Sequence, residues 1–364
     1  MARMKARPLK ARKGMPSVAL PKARFMAMAR ERFVDPAFEP LQEEIAKVLD
    51  AAWNGYHDYR KAPRIRRAGD GYADPDYELS VDWLKAKQAI GRAERQQKSA
   101  ASRSRILLIN GSMRSDQTCP GEMSKSWRLI EIARKLIEKE RGFEVEVLDL
   151  SLLTSQYGRQ ILPCKSCVST AQPLCHWPCS CYPNHALGQV NDWMNEIYPM
   201  WAAAHGVMIV TPVNWYQAPA GLKAMMDRLV CANGGNADPT STGGKNAVKA
   251  KQIEIKGWDY PNHLAGRAFA TIVHGDAAGV ETLRRIMVDW SKDMGLVSAG
   301  HAAELDRYVG YYESYALNHD AFDRDHAFQE ETRNAARALV QAVKLLRRGK
   351  LPQPDAGLRQ PRPK

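Results

Sequence analysis

From residue 105 onward the chain alternates short apolar runs with segments of helical period, and this alternation limits its fold more than any other feature. RILLIN (105–110), GVMIVTP (206–212) and RAFATIVH (267–274) read as buried strands, and FEVEVLD (143–149) alternates as a strand. GLVSAGHA (295–302) is a weaker fifth. Helical spacing is expected near 124–140, 187–204, 219–231, 279–294 and 326–348. Strands separated by helices imply a parallel sheet covered on both faces, a doubly wound α/β fold. Such sheets bind ligands beyond the carboxyl ends of their strands, so the turns there are where function is sought.

Three of those turns carry chemistry. The first strand runs into NGSMRSDQTCPGEMSKSW (110–127). Gly111 permits a tight turn, Ser112, Ser124 and Ser126 supply hydroxyls, and Arg114 and Lys125 supply charge. A helix beginning near Ser124 adds unpaired N–H groups and the positive end of its dipole, so the loop suits a phosphate. An ordinary polar loop with a serine N-cap fits the same residues. The segment matches neither GxGxxG nor GxxxxGK[ST]. The third strand ends TPVNWYQAPAG (211–221), where Pro212 and Pro219 stiffen a loop carrying Asn214, Trp215, Tyr216 and Gln217. That loop suits a flat conjugated ligand, or a buried tryptophan. The fourth ends VHGDAAG (273–279), with His274, Gly275 and Asp276 ahead of a helix. No Ser/His/Asp set has nucleophile-elbow spacing, which argues against a hydrolase.

ILLINGSMRS (106–115), MIVTPVNWYQAPAGLKAMMDRL (208–229) and VHGDAAG (273–279) together resemble the NAD(P)H-dependent FMN reductase branch of the flavodoxin-like superfamily. The resemblance covers about 105–300 and the closing helix. It implies a five-stranded parallel sheet ordered 2-1-3-4-5, bound FMN, and NAD(P)H as co-substrate. It further implies that Ser112, Arg114, Ser124, Lys125 and Ser126 hold the FMN phosphate. Pro212, Val213, Asn214 and Trp215 would border the ring, and His274, Gly275 and Asp276 would close its other side. His274 is the one candidate proton donor. About seven extra residues, Asp116 to Glu122, shift the phosphate contacts relative to the family pattern. The activity implied is reduction of a quinone, flavin or similar small acceptor. The alternatives are an electron-transfer iron–sulfur flavoprotein and a non-catalytic binding protein of the same fold.

Five of the seven cysteines fall within 164–181, spaced C-x2-C-x7-C-x3-C-x-C. Cys164, Cys167, Cys175 and Cys179 form a candidate ligand set for an iron–sulfur cluster or zinc. Thiols without metal, including a redox-active set, fit the same spacing. Iron–sulfur flavoproteins, a related branch, resemble this chain in carrying a compact cysteine cluster at the corresponding place.

Charge confines the remaining possibilities. Residues 1–34 hold ten Lys/Arg against one Glu and residues 344–364 seven against one Asp, so the two ends account for the formal +13. A nucleic-acid protein more often carries such charge on a folded face. No apolar run reaches the roughly 18 residues of a membrane span. The expectation is a cytoplasmic protein with basic, poorly ordered tails at 1–38 and 349–364 and a helical extension at 39–104. The flavodoxin-like domain then covers 105–348 and includes a long insertion at 232–264. The Tyr-rich 306–325 would cover the core or build an interface, and a homo-oligomer is expected.

Overall fold

The computed structural model describes residues 9–58, 64–182 and 192–350. The tail residues 1–8 and 351–364, and positions 187–191 of the expected fourth helix, lie outside the described residues. Two compact units divide the chain: 1–85, 165–192 and 236–259 form the smaller, and 86–164, 193–235 and 260–364 the larger.

The smaller unit contains an antiparallel pair, β1 (Ile65–Arg67) with β2 (Glu78–Ser80). Leu79, Trp83 and Leu84 form a small core with Tyr72 and Tyr77 against them. The helix Lys22–Arg30 lies within the stretch expected to be a poorly ordered tail, because Phe25 buries itself against Trp53 and Tyr56 of the helix Gln42–His57. The polar 232–264 excursion contributes the helix Ala247–Gly257, which joins Ala171 and Leu174 in another apolar cluster. Long loops without structure of their own are uncommon in compact domains. Here residues 165–182 and 236–259 are folded into a unit with N-terminal residues.

The larger unit is built on parallel strands β3 (Ser104–Asn110), β4 (Phe143–Asp149), β5 (Gly206–Pro212) and β6 (Ala268–Gly275), ordered β4-β3-β5-β6. Two short strands then share the far edge of β6. β7 (Val297–Ser298) pairs Ala268 and Phe269, and β8 (Glu304–Tyr308) pairs Thr271 to Gly275. The fold is flavodoxin-like. The expected fifth strand at 295–302 is thus two residues long, and the missing pairing comes from the start of the Tyr-rich stretch that was expected only to cover the core. β8 keeps one buried position, Leu305, among charged neighbours, as an edge strand can.

β3, β5 and β6 are buried at nearly every position because both faces are covered, and their centres are mostly apolar. Ile106, Leu108, Met208, Val210, Ala270 and Ile272 face one core with Leu129 and Ile130 of the helix Lys125–Ile137 and Leu339 and Val343 of the helix His326–Arg347. By the two-residue period, Leu107, Ile109, Val207, Ile209 and Phe269 point to the opposite face. Each helix starts at a side-chain cap: Ser124 Oγ accepts from Trp127 N at 3.1 Å, and Asp325 accepts from Phe328 N at 2.9 Å. Gly206 admits the closing helix, since a Cβ there would stand 2.7 Å from Val343 Cγ2.

Candidate functional site

The carboxyl ends of β3, β5 and β6 open on a cavity of about 590 Å³, within the roughly 300–1,000 Å³ range of small-molecule sites. At the end of β3, Ser112 N donates to Asn110 Oδ1 (3.3 Å) and Ser112 Oγ accepts from Arg114 N (3.1 Å). Gly111 is demanded by sterics: an added Cβ would lie 2.7 Å from Thr211 Oγ1 and 2.9 Å from Leu222 Cδ2. Ser112, Arg114, Ser124, Lys125 and Ser126 all line the cavity, the last two as the opening residues of the helix Lys125–Ile137.

From β5 come Pro212, Val213 and Asn214, and from β6 His274, Gly275 and Asp276, all in the cavity wall. Val213 N donates to His274 O at 2.8 Å and ties the two turns together. Trp215 is placed differently. Asn214 and Gln217 exchange both backbone hydrogen bonds at 2.9 Å, closing a two-residue turn with Trp215 at φ 49° and Tyr216 at φ 66°. Positive φ at both corners is the signature of a type I′ turn, unusual without glycine or asparagine. The turn carries Trp215 outward, 96% exposed and away from the cavity wall. Gly279, at φ 111°, gives the turn room, because a Cβ there would stand 2.8 Å from Tyr216 Cδ1.

The charge distribution is uneven. Burial pushes the Lys125 ammonium below its ordinary pKa, while Asp276 and Glu122 pull it back up. Arg114 pairs with Glu122 at 3.2 Å. Tyr315 lies near both cations, its ring centroid 4.9 Å from the Arg114 guanidinium and 5.6 Å from Lys125 Nζ. Asp276 accepts from Asn318 Nδ2 at 2.8 Å.

His274 is buried, with Nε2 2.7 Å from Ser126 Oγ. Burial, reinforced by Lys125, pushes its pKa down to about 3. The ring is therefore neutral near pH 7, which fits a positioning role better than the proton-donor role expected from sequence. Among the described residues its buried Nδ1 has no hydrogen-bond partner. An orphaned nitrogen in a cavity wall is a group that a polar ligand satisfies. His205 is also neutral, held at about 4 chiefly by burial, with Nδ1 accepting from Arg105 N at 3.0 Å.

Both imidazoles have folded pKa values below the ordinary 6.5. The unfolded chain therefore binds protons the folded one refuses, and stability present above pH 6.5 is lost as pH falls. We expect each of these two histidines to lower denaturant-measured stability by about 1.4 kcal/mol per pH unit as pH falls below 6.5. The His205→Gln/His274→Gln double variant should show a shallower decline.

Sequence reasoning missed several wall residues: Gln117 and Cys119 of the extra loop, Met113, Met123 and Thr154, and Tyr315 and His319 from beyond β8. His319 lies 3.4 Å from Glu122. The last two come from an aperiodic Tyr-rich segment, where no pattern marks a cavity residue. A neighbouring cavity of about 310 Å³ shares Arg114, Met123 and Ser124 and adds Trp127 and Asp149.

The cysteines are arranged otherwise than their spacing suggests. The seven form no disulfide. Among the described residues no three or more His, Cys, Asp or Glu side chains are placed to hold a metal ion, so the set Cys164, Cys167, Cys175 and Cys179 is not assembled as ligands. Cys164 belongs to the larger unit and the other three to the smaller. The sulfurs of Cys167 and Cys181 lie 3.5 Å apart. The hydrogen bond from Cys181 and the charge of Lys245 bring the Cys167 thiol down to about 6. Donating that bond pushes Cys181 up.

An iron–sulfur flavoprotein of Methanosarcina thermophila is 32% identical over 127 residues, which is 35% of this chain and 52% of that protein. The chain thus spans about half the length of this curated relative. Among solved structures, RosB with bound 8-demethyl-8-formylriboflavin-5′-phosphate is 13% identical at a TM-score of 0.43, covering 68% of this chain and 82% of that one. A WrbA-like flavodoxin from Agrobacterium tumefaciens is 7% identical at a TM-score of 0.32, covering 69% and 99%. Among the described residues no helix is long and apolar enough to cross a membrane. The family model for NADPH-dependent FMN reductase matches residues 104–300, more than half of the chain and the segment that builds the β3, β5 and β6 turns, and the chain belongs to that family.

Proposed function

We propose that this protein is an FMN-dependent NAD(P)H oxidoreductase that reduces a small acceptor such as a quinone or a flavin. One observation carries the reading: the turns after three parallel strands line one cavity, cationic and hydroxyl-rich along the β3 turn and bordered by rigid backbone along β5 and β6. FMN is a phosphate joined to a planar ring, and the two parts of the wall match its two ends. When bound, it accepts a hydride and passes electrons on singly or in pairs.

The residues then have separable tasks. Lys125, Arg114 and the first N–H groups of the helix Lys125–Ile137 neutralise the phosphate, with Ser112, Ser124 and Ser126 as hydroxyl donors. Pro212, Val213 and Gly275 present backbone to the ring. Asn214, Asp276 and His274 Nδ1 offer hydrogen-bonding groups. Asn318 fixes Asp276, and Ser126 fixes His274. The extra loop Asp116 to Glu122 brings its own counter-ion, since Glu122 already pairs with Arg114. Arg114→Glu should therefore weaken FMN binding only about tenfold, the worth of one partly compensated charge-assisted contact. Flavin fluorescence titration measures this, and unchanged affinity would count against Arg114 as a phosphate ligand. Anaerobic mixing with NADPH or NADH tests the activity: bleaching of bound flavin supports it, and flavin that stays oxidised refutes direct nicotinamide oxidation.

Trp215 and Tyr216, adjacent at the tip of the β5 turn, are exposed at 96% and 57%. Large apolar side chains grouped on a surface mark association sites, and we infer that the protein works as a homo-oligomer. Light scattering should report more than one chain per particle, and Trp215→Ser should lower that number.

A further inference from the structure

The smaller unit holds a cluster of thiols and an ammonium that the flavin reading leaves unused. Cys167 and Cys181, fourteen residues apart, bring their sulfurs to 3.5 Å. Lys245 Nζ donates to Cys167 Sγ at 3.7 Å and to Leu174 O at 2.9 Å. The two sulfurs belong to partly exposed residues, whereas Cys175 and Cys179 nearby are each 8% exposed. The geometry points to a reactive dithiol, in which Cys167 attacks low-molecular-weight disulfides of the glutathione class and Cys181 resolves the adduct.

Three features select this pair. First, only a thiolate attacks a disulfide, and a neighbouring ammonium favours the thiolate. Lys245 contacts Cys167, which assigns the attacking role to that sulfur. Second, a disulfide bond is about 2.0 Å long, so the two sulfurs need to close by about 1.5 Å, within reach of side-chain rotation in a loop. Third, the loop's own path assembles the pair, since Cys181 stands beside Cys167 although fourteen residues separate them. A metal is not favoured, because no ligand group of three is formed among the described residues and Lys245 already supplies positive charge at Cys167.

The step balances. The Cys167 thiolate attacks one sulfur of RSSR, its S–S bond breaks, and RS⁻ leaves. Cys181 gives its proton to the departing thiolate and attacks Cys167 Sγ, expelling the second RS⁻, which takes a proton from water. Two protein thiols are oxidised and one small disulfide is reduced to two thiols. No flavin takes part, so the proposal stands apart from the flavin reading and can fail without it.

The test uses the full-length protein, incubated with oxidised glutathione, alkylated, and analysed by intact mass and peptide mapping. The expected result is loss of two alkylatable thiols out of seven and a cross-linked pair of peptides carrying Cys167 and Cys181. Cys181→Ser should stop at a single glutathione adduct on Cys167. Cys167→Ser should form neither adduct nor cross-link at the remaining sulfur. Lys245→Gln should slow adduct formation about tenfold, with retained far-UV dichroism establishing that it is folded. A cross-link between other cysteines, an adduct first formed on Cys181, or thiols that react only after a bound zinc or iron is chelated would each overturn the proposal.

Discussion

Lys125→Glu should abolish FMN retention at micromolar protein, with Kd raised about 100-fold or more, while leaving the secondary structure intact. The ammonium is partly withdrawn from water, and burial already disfavours its charge. An anionic ligand relieves that penalty, so the site gains more from a phosphate than an exposed lysine would. A charge-assisted contact contributes about 1.5–3 kcal/mol, and each 1.4 kcal/mol is about tenfold. Reversal also adds a carboxylate beside Glu122 and Asp276, the two acids that now support the cation. Lys125→Met separates the two contributions and should lose about tenfold to a hundredfold. Fluorescence titration with FMN measures both variants. Wild-type affinity in Lys125→Glu would remove the phosphate from this end of the cavity.

Gly111→Val should cost about 1–3 kcal/mol of stability, the range for forcing methylenes into a close-packed place, and should also eliminate flavin binding. Its Cβ would collide with Thr211 Oγ1 and Leu222 Cδ2, which belong to β5 and to the helix Ala220–Leu229. The end of β3 would have to move away from β5, carrying Ser112 and Arg114 with it. The proof of linkage is that both losses occur together. Urea denaturation and flavin titration on the same preparation distinguish this from a purely local defect. A variant with wild-type stability and flavin affinity would show that the close approach of β3 and β5 does not shape the cavity.

The larger unit was readable in the sequence where periodicity is physically enforced. β3, β5 and β6 are buried on both faces, so their residues could hardly be other than apolar, and the helices keep one stripe against the sheet. β8 was not readable, because a short edge strand can keep one apolar position and fill the rest with Glu, Asp, Arg and Tyr. The smaller unit was hidden for a different reason. It gathers three segments far apart in sequence, and no local pattern announces which loops meet. The site divides along the same line. Residues at or just past strand ends, such as Ser112, Pro212 and Gly275, were marked by topology and by the family resemblance. Tyr315 and His319 reach the cavity from an aperiodic stretch, and Trp215 turns outward through a backbone conformation its residue type disfavours. The thiol pair shows the limit of spacing rules: the loop's path brings Cys181 beside Cys167 across fourteen residues, which no short spacing announces.

The central claim is that one cavity reads both a phosphate and a planar ring, and a paired titration of the wild-type protein with FMN and with riboflavin addresses it most directly. The account predicts one FMN per chain, bound at least about 100-fold more tightly than riboflavin, with the difference largely lost in Lys125→Glu. Equal affinity for the two flavins, or no binding of either, would contradict it.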